Sequence, residues 1–212
     1  MAGTLNGITV LETSLHMPRI GVLWADIVLD GDVSLVGTAT LSYAGWAEPL
    51  VGTVADGGES KHGRIPLRMA GGAGRLGEEL PAKSYQGAPI RLPIRDVIEE
   101  AGEELSDTAT GGLDLVLTHW IRTQRPAAQC LGMLARTAGF AWRFLPDGTF
   151  WFGDETWPAS TVTYEVMEQF PEQDAVFVAT DGLILPGTTL QGRHVERVAA
   201  FPHASRAKVW FG

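Results

Sequence analysis

The apolar segments of this chain are short, and glycine or proline cuts off one after another. The 26 glycines and 12 prolines are dispersed as punctuation rather than gathered into a linker. Glycine supplies the positive φ of tight turns, and proline is excluded from helix interiors and central strands. The seven tryptophans fall mostly within strand-like runs, where aromatic side chains suit a pleated, half-buried surface. Many turns between short aromatic strands predict a mainly β architecture with short connections.

Residues 8–15 read as an opening strand, followed by residues 21–29 (GVLWADIVL) and residues 33–43 (VSLVGTATLSY). The turn Asp30-Gly31-Asp32 between the last two predicts a β-hairpin, since acidic-glycine turns supply the φ that tight hairpins need. Residues 48–55 and 64–69 continue the series across a polar, glycine-rich loop at 56–63. Strands this closely spaced predict a barrel or sandwich.

Helical periodicity enters after the glycine-rich loop at 71–81. Ile94, Val97, Ile98, Ala101 and Leu105 fall on one stripe, which predicts a helix over 93–105 with Pro93 in its first turn. A loop with a Gly-Gly stop at 106–113 leads into a strand over 114–121. Next comes the most compact signal in the chain, AAQCLGMLARTAGFAWRFLPDGTFWFG at 127–153. It reads as a helix capped by Thr123, with Ala127, Leu131, Leu134, Ala135 and Ala138 buried and Gly139 as its stop. A β-hairpin turned at Pro146-Asp147-Gly148 follows. Strands are expected at 161–166, 175–180, 182–189, 194–201 and 206–211, with no internal repeat. The expected organisation is a β-barrel domain over 1–90, a small α+β insert over 91–157, and strands over 158–212 that complete a barrel.

Composition narrows the function. At 45% hydrophobic and 19% charged, 212 residues form an ordinary folded chain with a real core. No apolar run is long enough to span a bilayer. The N-terminus lacks the basic and apolar regions of a signal peptide, so cytoplasmic synthesis is expected. The net charge is −9, and the 16 Lys and Arg are scattered singly, which argues against sequence-specific nucleic-acid binding. An acid-lined channel would repel DNA and let it pass.

No segment carries a convincing catalytic motif. Gly72-Ala73-Gly74-Arg75-Leu76-Gly77 matches GxGxxG, but Pro81 follows too soon for the long helix a dinucleotide site requires. His16, His62, His119, His194 and His203 form no HxxxH or HExxH pattern, and the lone Cys130 reads as a buried thiol. Asp26, Asp30 and Asp32 lack the spacing of a calcium loop. Ser60 beside His62 lacks the nucleophile-elbow pattern. Asp154 or Glu155 would serve as a glycosidase acid only with a distant partner carboxylate. Trp24, Trp46, Trp142, Trp151, Trp157 and Trp210 would serve as a sugar-binding row only if exposed together. The residues therefore predict no catalytic, cofactor or metal site, and no enzyme.

Taken together, three segments resemble one family. LPGTTLQGR at 185–193, with the strands at 194–198 and 206–211, resembles the closing strands of phage baseplate hub proteins of the late control D and Mu type, relatives of the hub part of type VI secretion spikes. The module at 127–153 resembles their small insert domain. Residues 21–41 with 50–58 (LVGTVADGG) are similar in style to their first tube-like barrel. The resemblance implies a mainly β fold of tail-tube-like barrels with a helix-plus-hairpin insert. It implies a structural role in the virion tail, as a homotrimeric ring joining the tail tube or a distal tail protein to a spike on a separate chain. DNA would pass through its lumen without specific binding, and no membrane insertion is implied. Typical hubs are longer than this chain. The alternatives from other classes are a carbohydrate-binding β-sandwich of a tail tip and a glycan hydrolase.

Overall fold

The computed structural model describes residues 2–32, 34–57, 62–108 and 115–212. The architecture is mainly β, as expected. The first six strands are β1 (Gly3–Leu5), β2 (Ile8–Pro18), β3 (Trp24–Asp30), β4 (Gly37–Tyr43), β5 (Leu50–Gly57) and β6 (Arg64–Gly71). They pair antiparallel in the order β1-β4-β5-β6-β3-β2, and β2 pairs back onto β1 to close a six-stranded barrel. Alternation fills its interior: Leu15 and Met17, Ala25, Ile27 and Leu29, Ala39 and Leu41, and Ile65, Leu67 and Met69 are all buried. One polar pair lies inside, where the hydroxyls of Thr13 and Tyr43 sit 2.8 Å apart and satisfy each other.

Two expectations fail here for topological reasons. The turn Asp30-Gly31-Asp32 does not join a hairpin. Both edges of β3 are taken, by β2 and β6, so the chain crosses to the far side of the barrel and β4 pairs β1 and β5. Strand β1 was not expected. It is held by the two-residue turn Asn6-Gly7, with φ of +49° and +83°, the chemistry that a tight hairpin demands.

The middle of the chain contains β7 (Glu79–Leu80), β8 (Lys83–Pro89), α1 (Arg91–Ala101), β9 (Val116–Arg122), β10 (Arg125–Pro126), α2 (Ala127–Ala138), β11 (Ala141–Phe144) and β12 (Phe150–Gly153). Strands β8 and β9 pair antiparallel, as do β7 and β10, and β11 and β12. Helix α1 buries Ile94, Val97, Ile98 and Ala101 as its stripe predicts. It stops at Gly102, whose φ of +74° ends the helix, so Leu105 leaves the stripe and instead bridges Phe150. Helix α2 buries Ala127, Cys130, Leu131, Leu134 and Ala135 and ends at Gly139, with φ of +77°. Thr123 is not its cap, because Arg125 and Pro126 pair with β7 and delay the helix to Ala127. The hairpin β11–β12 is the one expected, and its Phe144, Phe150 and Phe152 pack as tilted and edge-on rings. The Gly-Gly stop at 111–112 and Asp114 lie outside the described residues.

The last strands are β13 (Tyr164–Phe170), β14 (Ala175–Thr180), β15 (Thr189–Leu190), β16 (Arg193–Phe201) and β17 (Arg206–Phe211). They run β13-β14-β17-β16, and β16 pairs the second half of β2. The barrel wall thus continues without a break into a second set of strands. Residues 182–188 are not a strand. They cross over the hairpin module before β15 begins, with Gly187 against Arg143 and Glu155.

The chain also contains the internal repeat its sequence did not disclose. Thr4-Leu5-Asn6-Gly7 and Thr189-Leu190-Gln191-Gly192 form the same two-residue turn. Phe170-Pro171 and Phe201-Pro202 open the same single turn of 3-10 helix, closed by Asp174 and Ser205 at φ of +49° and +51°.

Candidate functional site

The uninterrupted sheet β6-β3-β2-β16-β17-β14-β13 presents one outer face across seven strands. Its central cross-strand row reads Ala70, Trp24, His16, Ala199, Lys208, Phe177, Glu168. Apart from those of Glu168, the chain neighbours of these residues point into the hydrophobic core, so alternation leaves the row on the outer face, where Ala199 alone is covered, at 3% exposed. On it, His16 stacks on Trp24 at 3.9 Å. Arg68 lies over the other part of the same arrangement, 5.0 Å from the Trp24 ring and bound through Nε to Asp26 at 2.8 Å. Arg197 covers Trp210 at 3.9 Å. Partial burial, with Arg197 and Arg68 nearby, holds the His16 pKa below the usual imidazole value despite the opposing pull of Asp26.

The tryptophans therefore form no bare row. Trp24 and Trp210 lie under cations, and Trp157 stacks on His194 at 3.9 Å with Arg19 above it at 5.5 Å. Trp142 and Trp151 are buried, and Trp46 packs against Tyr43. A sugar platform needs open ring faces, and here the rings carry partners from their own chain.

The glycine-rich loop 72–77 does hold an anion, but an internal one. The N–H groups of Ala73 and Arg75 donate to the Glu103 carboxylate, each at 2.7 Å. Glu103 is only 7% exposed. Successive backbone N–H groups form such an anion-binding hollow, and Gly72, at φ of +65°, gives it its shape. A nucleotide phosphate has no room there, and no helix follows the loop. The sequence signal for an anion site was present, yet its occupant lies about 30 residues downstream, beyond a motif's reach.

Glu155 is the partner of Arg143, in an ion pair whose side chains are 7% and 15% exposed. Arg143 also lies 4.3 Å over Trp151. This pair lines a 260 Å³ cleft with Pro18, Pro146, Pro158 and Leu185. No second carboxylate lines the cleft among the described residues, and Asp154 is exposed beside it.

The remaining candidates disperse. Asp26 serves Arg68. His203 Nδ1 lies 3.1 Å from both the N–H and the carbonyl of Thr13, beside the bulge of β2. Ser60 lies outside the described residues. Cys130 is buried, and that burial pushes its thiol pKa up. Arg122, which sequence reasoning did not single out, is 1% exposed. Its Nε donates to the Pro81 carbonyl at 2.9 Å and its Nη2 to Glu100. Among the described residues no three side chains gather in a metal-binding arrangement, and no helix is long and apolar enough to cross a membrane.

No protein-family model and no curated protein matches the chain. Solved structures do. A component of the E. coli type VI secretion system, c3393, superposes with a TM-score of 0.71 at 13% identity, over 98% of this chain and 75% of its own. That protein is described as structurally similar to the T4 tail proteins gp27 and gp5. The 43 kDa tail protein of prophage MuSo2 from Shewanella oneidensis gives 0.70 at 8% identity, over 100% and 96%. A tail protein from Neisseria meningitidis MC58 gives 0.71 at 12% identity, over 99% and 95%. The chain has the fold of these tail and secretion-system proteins.

Proposed function

We propose that this chain is a structural component of a phage tail or a related injection machine. Within that role it is a hub: a homotrimeric ring at the distal end that joins the tail tube, or a distal tail protein, to a spike on a separate chain. The observation that carries the reading is a closed barrel running without a break into a second strand set, a layout that matches tail proteins over nearly the whole chain. A ring of three protomers closes through heterologous contacts related by rotation. We divide the protomer into a barrel over 1–90, an insert over 91–157 and a returning strand set over 158–212.

DNA crosses the lumen of this ring without specific binding. The outer sheet face fits that role, since it intersperses Arg68, Arg197 and Lys208 with Asp26 and Glu168 rather than clustering one sign. The protein is not an enzyme in this reading, and its cellular destination is the virion tail. Negative-stain imaging of the purified chain tests the proposal. Threefold rings with a central opening are expected. Featureless monomers that digest peptidoglycan would replace the reading with a hydrolase.

A further inference from the structure

The two strand sets follow one plan, and the second is a strand short. Hairpin β15–β16 repeats β1–β2, with the same Thr-Leu pair and two positive-φ residues at the same places, Asn6-Gly7 in one and Gln191-Gly192 in the other. Three residues after its turn glycine, β2 shifts register between Val10 and Glu12, and β16 between Val195 and Arg197. Strand β5 shifts between Val54 and Asp56, and β13 between Val166 and Glu168. The neighbours correspond as well: β16 pairs β17 as β2 pairs β3, β17 pairs β14 as β3 pairs β6, and β14 pairs β13 as β6 pairs β5. A bulge is a specific local feature, and its recurrence at matching places fixes the correspondence.

In the first set, β4 lies between β5 and β1 and closes the barrel. In the second, no strand among the described residues lies between β13 and β15. The β15 side is covered by residues 158–160: the Ser160 N–H donates to the Thr189 carbonyl at 2.9 Å, and the Thr189 N–H to the Pro158 carbonyl at 2.7 Å. This segment runs parallel to β15, whereas β4 runs antiparallel to β1. The outer edge of β13 has no backbone partner among the described residues. An open cleft of 770 Å³ lined by residues 161–165 and 179–183 lies at the start of that edge.

We propose that the free edge of β13 accepts one extended strand from a partner protein, on the side where β5 takes β4 in the first barrel but set further along, over residues 164–170. Main-chain hydrogen bonds along the edge supply the affinity, and alternate side chains supply the selectivity. The chemistry of the occupant follows from its surroundings. Its inward positions are apolar, as Ala39 and Leu41 are in β4. Its outward positions carry Lys or Arg, because Glu165 and Glu168 stand exposed on β13. A second copy of β13 is disfavoured, since antiparallel pairing would set these acids against one another, and the six strands of the closed barrel in a second copy already have partners on both sides. The proposal stands apart from the ring, because a chain that forms no ring still presents this edge.

The probe is a synthetic peptide of residues 37–43 carrying Thr38→Lys, Thr40→Lys and Ser42→Lys, added to the full chain and followed by amide hydrogen exchange. Exchange in residues 164–170 is expected to slow at least about tenfold, with little change elsewhere. The Glu165→Lys/Glu168→Lys chain is expected to lose that protection and regain it with a peptide bearing glutamate at the same three positions. Protection that is absent, lies on another strand or ignores the charge reversal overturns the proposal. Protection, before any peptide is added, of those amides in 164–170 that do not bond β14 also overturns it, since the chain's own copies would then fill the edge.

Discussion

Glu103 shows how much one side chain organises. It closes the hollow of the glycine-rich loop and ties the end of α1 to the end of β6. Glu103→Gln keeps the shape and removes the charge, so chemical denaturation is expected to show a loss of about 1–3 kcal/mol. Gly72 stands at φ of +65°, and a Cβ there would meet the Phe144 ring and the Glu103 carboxylate. Gly72→Ala is therefore expected to cost about 3 kcal/mol in the same measurement. His16 gives a pH dependence. Its folded pKa lies below the unfolded value of 6.5, so on acidification the unfolded chain takes up the proton first. Stability is full above that value and falls as the pH drops through it, until the folded pKa is passed. His16→Gln is expected to flatten this part of the stability profile between about pH 7 and pH 5.

At the scale of elements, local signals were legible and pairings were not. Although its stripe carries the expectation for α1 past the actual stop at Gly102 to Leu105, the α1 and α2 stripes, the glycine stop at Gly139, and the turn at Pro146-Asp147-Gly148 all announce themselves within a few residues. The partners of β3 and β4 do not, because barrel closure decides them at long range. Asn6-Gly7 was a readable hairpin signal, overlooked because β1 has only three residues. The repeated strand set was hidden for another reason. Its marks are backbone bulges after Val10, Val54, Val166 and Val195, and a lone valine is too common in strands to announce a repeat. The internal anion site was half legible: the loop advertised an anion, and only the fold supplied Glu103. Asn6 also caps the open side of β4, with its Oδ1 accepting from the Thr40 N–H at 2.8 Å and its Nδ2 donating to the Thr38 carbonyl at 3.3 Å. Asn6→Ala is expected to cost about 1–2 kcal/mol and to quicken amide exchange at Thr40.

At the scale of the whole molecule, the barrel and the last strands form one wall, since β16 extends the sheet directly from β2. This continuity is the feature on which the proposed structural role rests. Its buried charges, Glu103, Arg122 and the Arg143–Glu155 pair, all join one element to another. The central claim is that the wall closes into a ring of three. Light scattering on the purified chain over a wide concentration range measures this most directly. The account predicts a stable species near three times the 22.8 kDa protomer. A mass of 22.8 kDa that persists at every concentration would contradict it.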